Sequence, residues 1–317
     1  MNRCIHLLCA LAPLREFSTF RGGSWCCVLL AVVSLGLLAN EALAQEPKHV
    51  LILVGPSNHP PGTHEVAAGA RLMKHCLEHA ENVSGITAEV VTAWPEDRQR
   101  LQKISTVVFS GDRFPPAEMP DRERIMGDLK TMMDHGCGLV CVHYATGLGA
   151  NHVAPDGAHP LLGWMGGYFA TRTPHHQSIA RVYAAATIEP GSGEHPALRG
   201  WKQFTVNDEP YINNYFGKDG PAKNVTVLAT SMLPPEAPKR EAVAWAVSRN
   251  DGGRGVGIVM PHFYKNWQVD DLRMLIMNSI VWSAKLQVPA AGVKTPTPDL
   301  AKFEPAAIEP PPRPAKK

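Results

Sequence analysis

Disulfide chemistry is the first thing the sequence lacks. Of its seven cysteines, Cys4, Cys9, Cys26 and Cys27 lie in the N-terminal leader, which leaves Cys76, Cys137 and Cys141 without a CxxC spacing. An odd number so spaced excludes a disulfide scaffold. Cys137 and Cys141 fall in an apolar, strand-like segment and read as buried thiols. An excess of one charge is missing too. After residue 44, 28 Lys and Arg face 27 Asp and Glu, with no basic run, so no nucleic-acid partner is expected. The HExxH metal motif is absent.

The apolar run Trp25 to Leu38 is shorter than the ~20 residues of a membrane helix. Arg3, Arg15 and Arg21 accompany it, and Ala42-Leu43-Ala44 follows as a small-x-small cleavage sequence. Residues 1–44 are therefore expected to be a signal peptide, with an uncleaved anchor as the alternative. Cleavage would leave no stable membrane span and an exported protein, periplasmic or secreted.

The body, residues 48–288, opens with the apolar run His49 to Val54, as a buried parallel strand requires. Val66, Ala70, Met73, Leu77 and Ala80 recur at helical spacing, with Thr63 as a candidate N-cap. Strands are expected at Ile86 to Thr92, Ile104 to Ser110 and Gly138 to Val142, with a helix around Ile125, Leu129 and Met132. Residues 143–223 lose the alternation. Strands resume at Val225 to Ala229, Glu241 to Val247 and Gly255 to Met260, and a last helix carries Leu272, Leu275, Ile276, Ser279 and Ile280. The alternation predicts an α/β fold, a doubly wound, mainly parallel sheet with helices on both faces. Residues 289–317, with eight prolines, read as a disordered tail.

In an open parallel sheet the ligand crevice lies beyond the carboxyl ends of the strands. Polar residues recur there: His59 and His64 after the first strand, Asp112 and Arg113 after the third, His143 and Tyr144 after the fourth, and His262 after the last. Asp208, Glu209 and Tyr211 in the middle segment offer acid/base groups, metal ligands or hydroxyl acceptors, or simply a solvated loop. Asp112 and Arg113 suit either an internal ion pair or ligand contact. A divalent metal stays open as a cofactor, with ligands converging from distant segments, for example His143, Glu209 and His262.

Several segments carry a family resemblance. Ser110-Gly111-Asp112-Arg113, Gly138 to His143, His195-Pro196-Ala197-Leu198, Asp208-Glu209-Pro210-Tyr211, Ala244-Trp245-Ala246, Gly253 to Gly257 with His262, and Asn278 to Trp282 follow one another as in ThuA-like (trehalose utilisation) proteins. The resemblance covers residues 48–288 and implies a class I glutamine amidotransferase-like, flavodoxin-like fold. It departs from that superfamily at the nucleophile. The turn after the central strand offers His143 and Tyr144, whereas Cys141 lies inside the strand, so a Cys-His amidase is rejected.

The resemblance implies a small-molecule carbohydrate partner and an enzyme acting on a sugar or keto-sugar derivative, a hydrolase or lyase working by acid/base chemistry. In that scheme Asp208 or Glu209 is the base, His143 or His262 the acid, and His59, His64, Asp112, Arg113, Tyr144 and Tyr211 bind substrate. A non-catalytic carbohydrate-binding or scaffold protein on the same fold is the alternative. A strongly perturbed pKa at a buried pair would favour the enzyme. The sequence does not give the oligomeric state.

Overall fold

The structure is a computed structural model that describes residues 46–311. The expected leader lies outside the described residues. Among those described, no helix is long and apolar enough to cross a membrane.

One nine-stranded sheet organises the chain, in the order β2-β1-β3-β4-β11-β10-β9-β7-β8. Strands β1 (Lys48–Val54), β2 (Ile86–Val91), β3 (Ile104–Ser110), β4 (Gly138–Val142) and β11 (Arg254–Ile258) run parallel. Except in the edge strand β2, their central residues are apolar and buried, as strands covered on both faces require. The helix Val66–Glu78 packs on β1, β2 and β3, and the helix Asp270–Ser283 on β3, β4 and β11. The helix Arg122–Asp134 buries Ile125, Leu129 and Met132, the residues its spacing singled out.

The doubly wound, mainly parallel architecture expected from the sequence is not what forms. Strands β7 (Tyr183–Pro190), β8 (Phe204–Asp208), β9 (Val225–Leu233) and β10 (Lys239–Ser248) extend the sheet antiparallel. The physical reason is connection length. Only residues 234–238 join β9 to β10, and only residues 249–253 join β10 to β11. A parallel crossover needs a dozen or more residues, so links this short permit only hairpins. The sheet is mixed. A separate two-stranded ribbon, β5 (Gly147–Gly149) with β6 (Phe169–Thr171), stands beside it.

Strand β8 is an edge of the sheet, four places from β11. Even so, the Asp208 carboxylate at its end accepts hydrogen bonds from the main-chain N–H of His262 (2.8 Å) and Phe263 (3.1 Å). The antiparallel half therefore bends back until its edge meets the carboxyl ends of the parallel strands.

Residues 289–311 also differ from the coreless tail expected from their prolines. Val293, Leu300 and Phe303 are buried. The Arg71 guanidinium donates to the Phe303 carbonyl, and the Glu65 carboxylate accepts from the N–H groups of Ala306 (2.8 Å) and Ala307 (3.1 Å). Three well-spaced apolar side chains suffice to dock a segment onto an existing core, although they could not build one.

Candidate metal centre

The site begins with how closely two strand ends approach. Gly55 follows β1 and Gly111 follows β3, and a Cβ on Gly111 would lie 2.9 Å from the Gly55 Cα. The absent side chains let the two loops touch. The Asn58 N–H then donates to Asp112 Oδ2 (3.0 Å), and His59 Nδ1 lies 2.7 Å from the same oxygen. His64 Nδ1 reaches Asp112 Oδ1 at 2.5 Å. His59 and His64 stack with ring centroids 3.6 Å apart. Thr63, the expected helix cap, bonds back to the Pro60 carbonyl instead, and the helix starts after Glu65 without a side-chain cap.

His143 follows β4 with φ of 50°, a left-handed conformation costly for a residue with a Cβ. That turn aims the imidazole inward, where it is buried. Its Nδ1 lies 3.1 Å from the Val259 carbonyl, so Nδ1 carries the proton and Nε2 presents a lone pair. His64 resolves the same way. Its Nδ1 donates to the Asp112 carboxylate, leaving a lone pair on Nε2.

These two lone-pair nitrogens face each other at 2.8 Å. His262 Nδ1 completes a triangle, 2.9 Å from His64 Nε2 and 3.2 Å from His143 Nε2. Glu209 Oε2 stands 3.3 Å from His262 Nδ1. One ligand atom from each of His64, His143, Glu209 and His262 falls within 4.8 Å of all the others. Zinc–nitrogen bonds of 2.0–2.1 Å in tetrahedral geometry set nitrogens about 3.3 Å apart. The cluster needs to open by only a few tenths of an ångström to meet that.

Electrostatics favour a cation other than a proton. Burial pushes the His143 pKa well below its ordinary value, and the neighbouring His64 and His262 push further. Burial also lowers His64, with Asp112 opposing in part. Neutral imidazoles are the form a metal takes. Burial alone would raise Asp112, yet hydrogen bonds from His59 and His64 hold its carboxyl well below the usual range. Tyr211 Oη is 3.1 Å from His143 Nε2, and burial followed by Glu209 pushes the phenol well above 10. It stays a donor.

The ten candidate residues from the sequence divide by position. His64, His143, Glu209 and His262 converge on one point. His59 and Asp112 hold the ring of His64, and Tyr144 and Tyr211 pack around the imidazoles. Asp208 turns away from the cluster and grips the main chain of His262, its pKa raised to about 6 by burial against backbone hydrogen bonds. Arg113 pairs with Glu118 at 3.0 Å. Cys141 is fully buried in β4 with its thiol pKa pushed up by burial. The His-Pro pairs are caps: His159 Nδ1 accepts from Leu161 N–H and His195 Nδ1 from Ala197 N–H.

A cleft of about 590 Å³ opens beside the cluster and is lined by His59, Tyr144, Glu209 and Tyr211 together with residues of β6 and the loop after it. Sequence reasoning passed over Thr171 and Arg172 there, because residues 143–223 offered no periodic signal to anchor them. A larger cavity, about 690 Å³, lies around Lys48, Ile104 and Cys137, at the opposite ends of the same parallel strands.

No curated protein matches this chain. Among solved structures, a ThuA-like protein from Bacteroides uniformis superposes with a TM-score of 0.54 at 18% identity, over 76% of this chain and 93% of that one. Agd3, a carbohydrate deacetylase, gives a TM-score of 0.46 at 9% identity, over 75% of this chain and 32% of that one. The ThuA family profile, described as trehalose utilisation, matches residues 50–283. This chain belongs to the ThuA family.

Proposed function

We propose that this protein is an enzyme of carbohydrate utilisation that acts on a sugar or keto-sugar derivative at a divalent-metal centre held by His64, His143, Glu209 and His262. The observation that carries this reading is the pair of imidazole lone pairs facing each other at 2.8 Å, with a third ring nitrogen and a carboxylate beside them. Asp112 and the Val259 carbonyl fix the ring orientations from behind, as outer partners of metal-binding histidines do.

A metal held by these residues would supply Lewis-acid polarisation of a sugar carbonyl, which makes the adjacent C–H more acidic. His59 lines the cleft and donates through Nδ1 to Asp112, so its Nε2 keeps a lone pair to take up that proton. The Tyr211 hydroxyl donates toward the same region. Proton abstraction next to a carbonyl is thus the reaction class the arrangement suits best. The strongly perturbed groups at this cleft support an enzyme over a binding protein. A place outside the cytoplasm rests on the leader sequence.

Metal analysis of the purified protein, paired with deuterium uptake by a keto-glucoside followed by NMR, tests the proposal. About one equivalent of a zinc-class metal, and exchange that stops on chelation and returns with metal, is the expected result. Exchange that continues unchanged in metal-stripped protein would overturn it.

A further inference from the structure

Three residues with side chains hold left-handed backbone just past strand ends around this one cleft: Arg113 after β3 (φ 58°), His143 after β4 (φ 50°) and Arg172 after β6 (φ 52°). A glycine would take these angles at no steric cost, whereas a side chain there costs roughly 1–2 kcal/mol. His143 has its reason in the metal cluster. The other left-handed side chains sit elsewhere: Asp121, Lys285 and Glu304 border helices, and Asn213 is a residue type that tolerates the conformation. The two arginines need a reason of their own.

Both line the 590 Å³ cleft. Arg172 is exposed, and among the described residues it makes no ion pair or hydrogen bond. Arg113 is committed only in part, through one guanidinium nitrogen to Glu118. The only carboxylate among the residues lining the cleft is Glu209, which belongs to the metal cluster. Thr171, which also lines the cleft, adds a hydroxyl buried without a partner. Apart from Glu209, the charged lining of the cleft is therefore cationic, with donors left uncommitted on Arg172 and in part on Arg113. Guanidinium forks suit planar oxyanions and hold them in two-point contact.

We infer that the cleft selects a sugar derivative bearing an anionic oxyacid group, with Arg172 and Arg113 binding that group while the sugar's reacting carbons face the metal cluster. This rests on the reading of the cleft as the carbohydrate site. It adds that a neutral sugar is not the preferred ligand.

The test is isothermal titration of the full protein, metal-loaded and metal-stripped, with glucuronate, glucose 6-phosphate and glucose. Wild type is expected to bind one or both anionic sugars at least tenfold more tightly than glucose. Preference for glucuronate identifies a carboxylate ligand and preference for glucose 6-phosphate a phosphorylated one. Arg172→Gln is expected to remove most of that margin and Arg113→Gln part of it, with thermal stability and metal content unchanged. Arg172→Lys should restore some of it, since charge returns without the fork. The margin should also survive metal stripping, which separates guanidinium recognition from chelation of the acid by the metal. Equal affinity for glucose and both acids, or a margin untouched in both Gln variants, overturns the inference. Metal content read on the same samples reports independently on the metal centre, so either idea can fail alone.

Discussion

The two halves of the sheet contribute to the site by different routes. In the parallel half, β1, β3, β4 and β11 all end on the same side, and the residues that follow them deliver His64, Asp112, His143 and His262. Asp112, His143 and His262 follow their strands within four residues, and Asp112 in turn holds His64. The antiparallel half delivers Glu209 from its far edge, and Asp208 must hold that edge against the His262 loop. One half supplies ligands by register and the other by a long-range grip. Loss of a ligand should therefore cost more on the parallel side.

The largest effect is expected from His143→Ala, which removes the central nitrogen of the triangle. Metal should be lost during purification, with turnover lost alongside. Glu209→Gln leaves three nitrogens and should still retain metal, with affinity measurably reduced in a chelator competition. Equal retention by wild type and His143→Ala would break both the comparison and the metal assignment.

Asp112 and Asp208 sharpen the same contrast one step further out. Asp112→Asn should lower metal affinity by about 10–100-fold while leaving the fold intact, because it loosens the His59 and His64 rings and the Asn58 loop without touching the core. Asp208→Ala should instead act on stability. It leaves two buried N–H groups without an acceptor, at about 1–3 kcal/mol each. Chemical denaturation and metal titration on both variants separate the two effects, and a pure affinity loss in Asp208→Ala would refute the gripping role.

How much of this was legible in the sequence follows from the same division. Continuous apolar runs marked β1, β3 and β4 to within a residue, and the rule that sites gather beyond parallel strand ends picked out the three histidines of the cluster, whereas Glu209 came from the carboxylate pair of the middle segment. His64 was read as a substrate contact because sequence spacing says nothing about which ring nitrogen faces which neighbour. The antiparallel half is legible only through link length. Seven residues between the expected strands at Val247 and Gly255 already exclude a helical crossover. Arg172 could not be found at all, since its importance lies in a backbone angle and in the absence of a partner.

The C-terminal segment gives a smaller test. Glu65 joins it to the loop that carries His59 and His64, through Gly62 N–H on one side and Ala306 and Ala307 on the other. Truncation after Asp299 exposes the seats of Leu300 and Phe303, about 1.5–3 kcal/mol for each side chain. The melting temperature should fall, and metal affinity should weaken only modestly because Asp112 still holds both rings. Unchanged melting would mean that the segment does not brace the loop.

The smallest effect concerns the two capping histidines, which seat different elements. His159 caps the helix Pro160–Met165, which packs on β4, β10 and β11, and His195 caps the turn Pro196–Leu198, which packs on the helix Asp270–Ser283 and leads into β8. Both imidazoles accept a backbone N–H through Nδ1, which only the neutral ring can do. Burial pushes both pKa values down to about 4, helped by His152 in the first case and by Arg254 and Arg199 in the second. The unfolded chain, at the ordinary value near 6.5, binds the proton first. Their contribution to stability is therefore complete above pH 6.5 and erodes as the pH falls from 6.5 to 4. Asn accepts the same hydrogen bond without titrating in this range. His159→Asn and His195→Asn should each flatten the fall in melting temperature between pH 7 and pH 4.5 by a few degrees, and additively, since the caps serve different elements. An unchanged slope in the double variant would assign the acid sensitivity to the metal cluster instead.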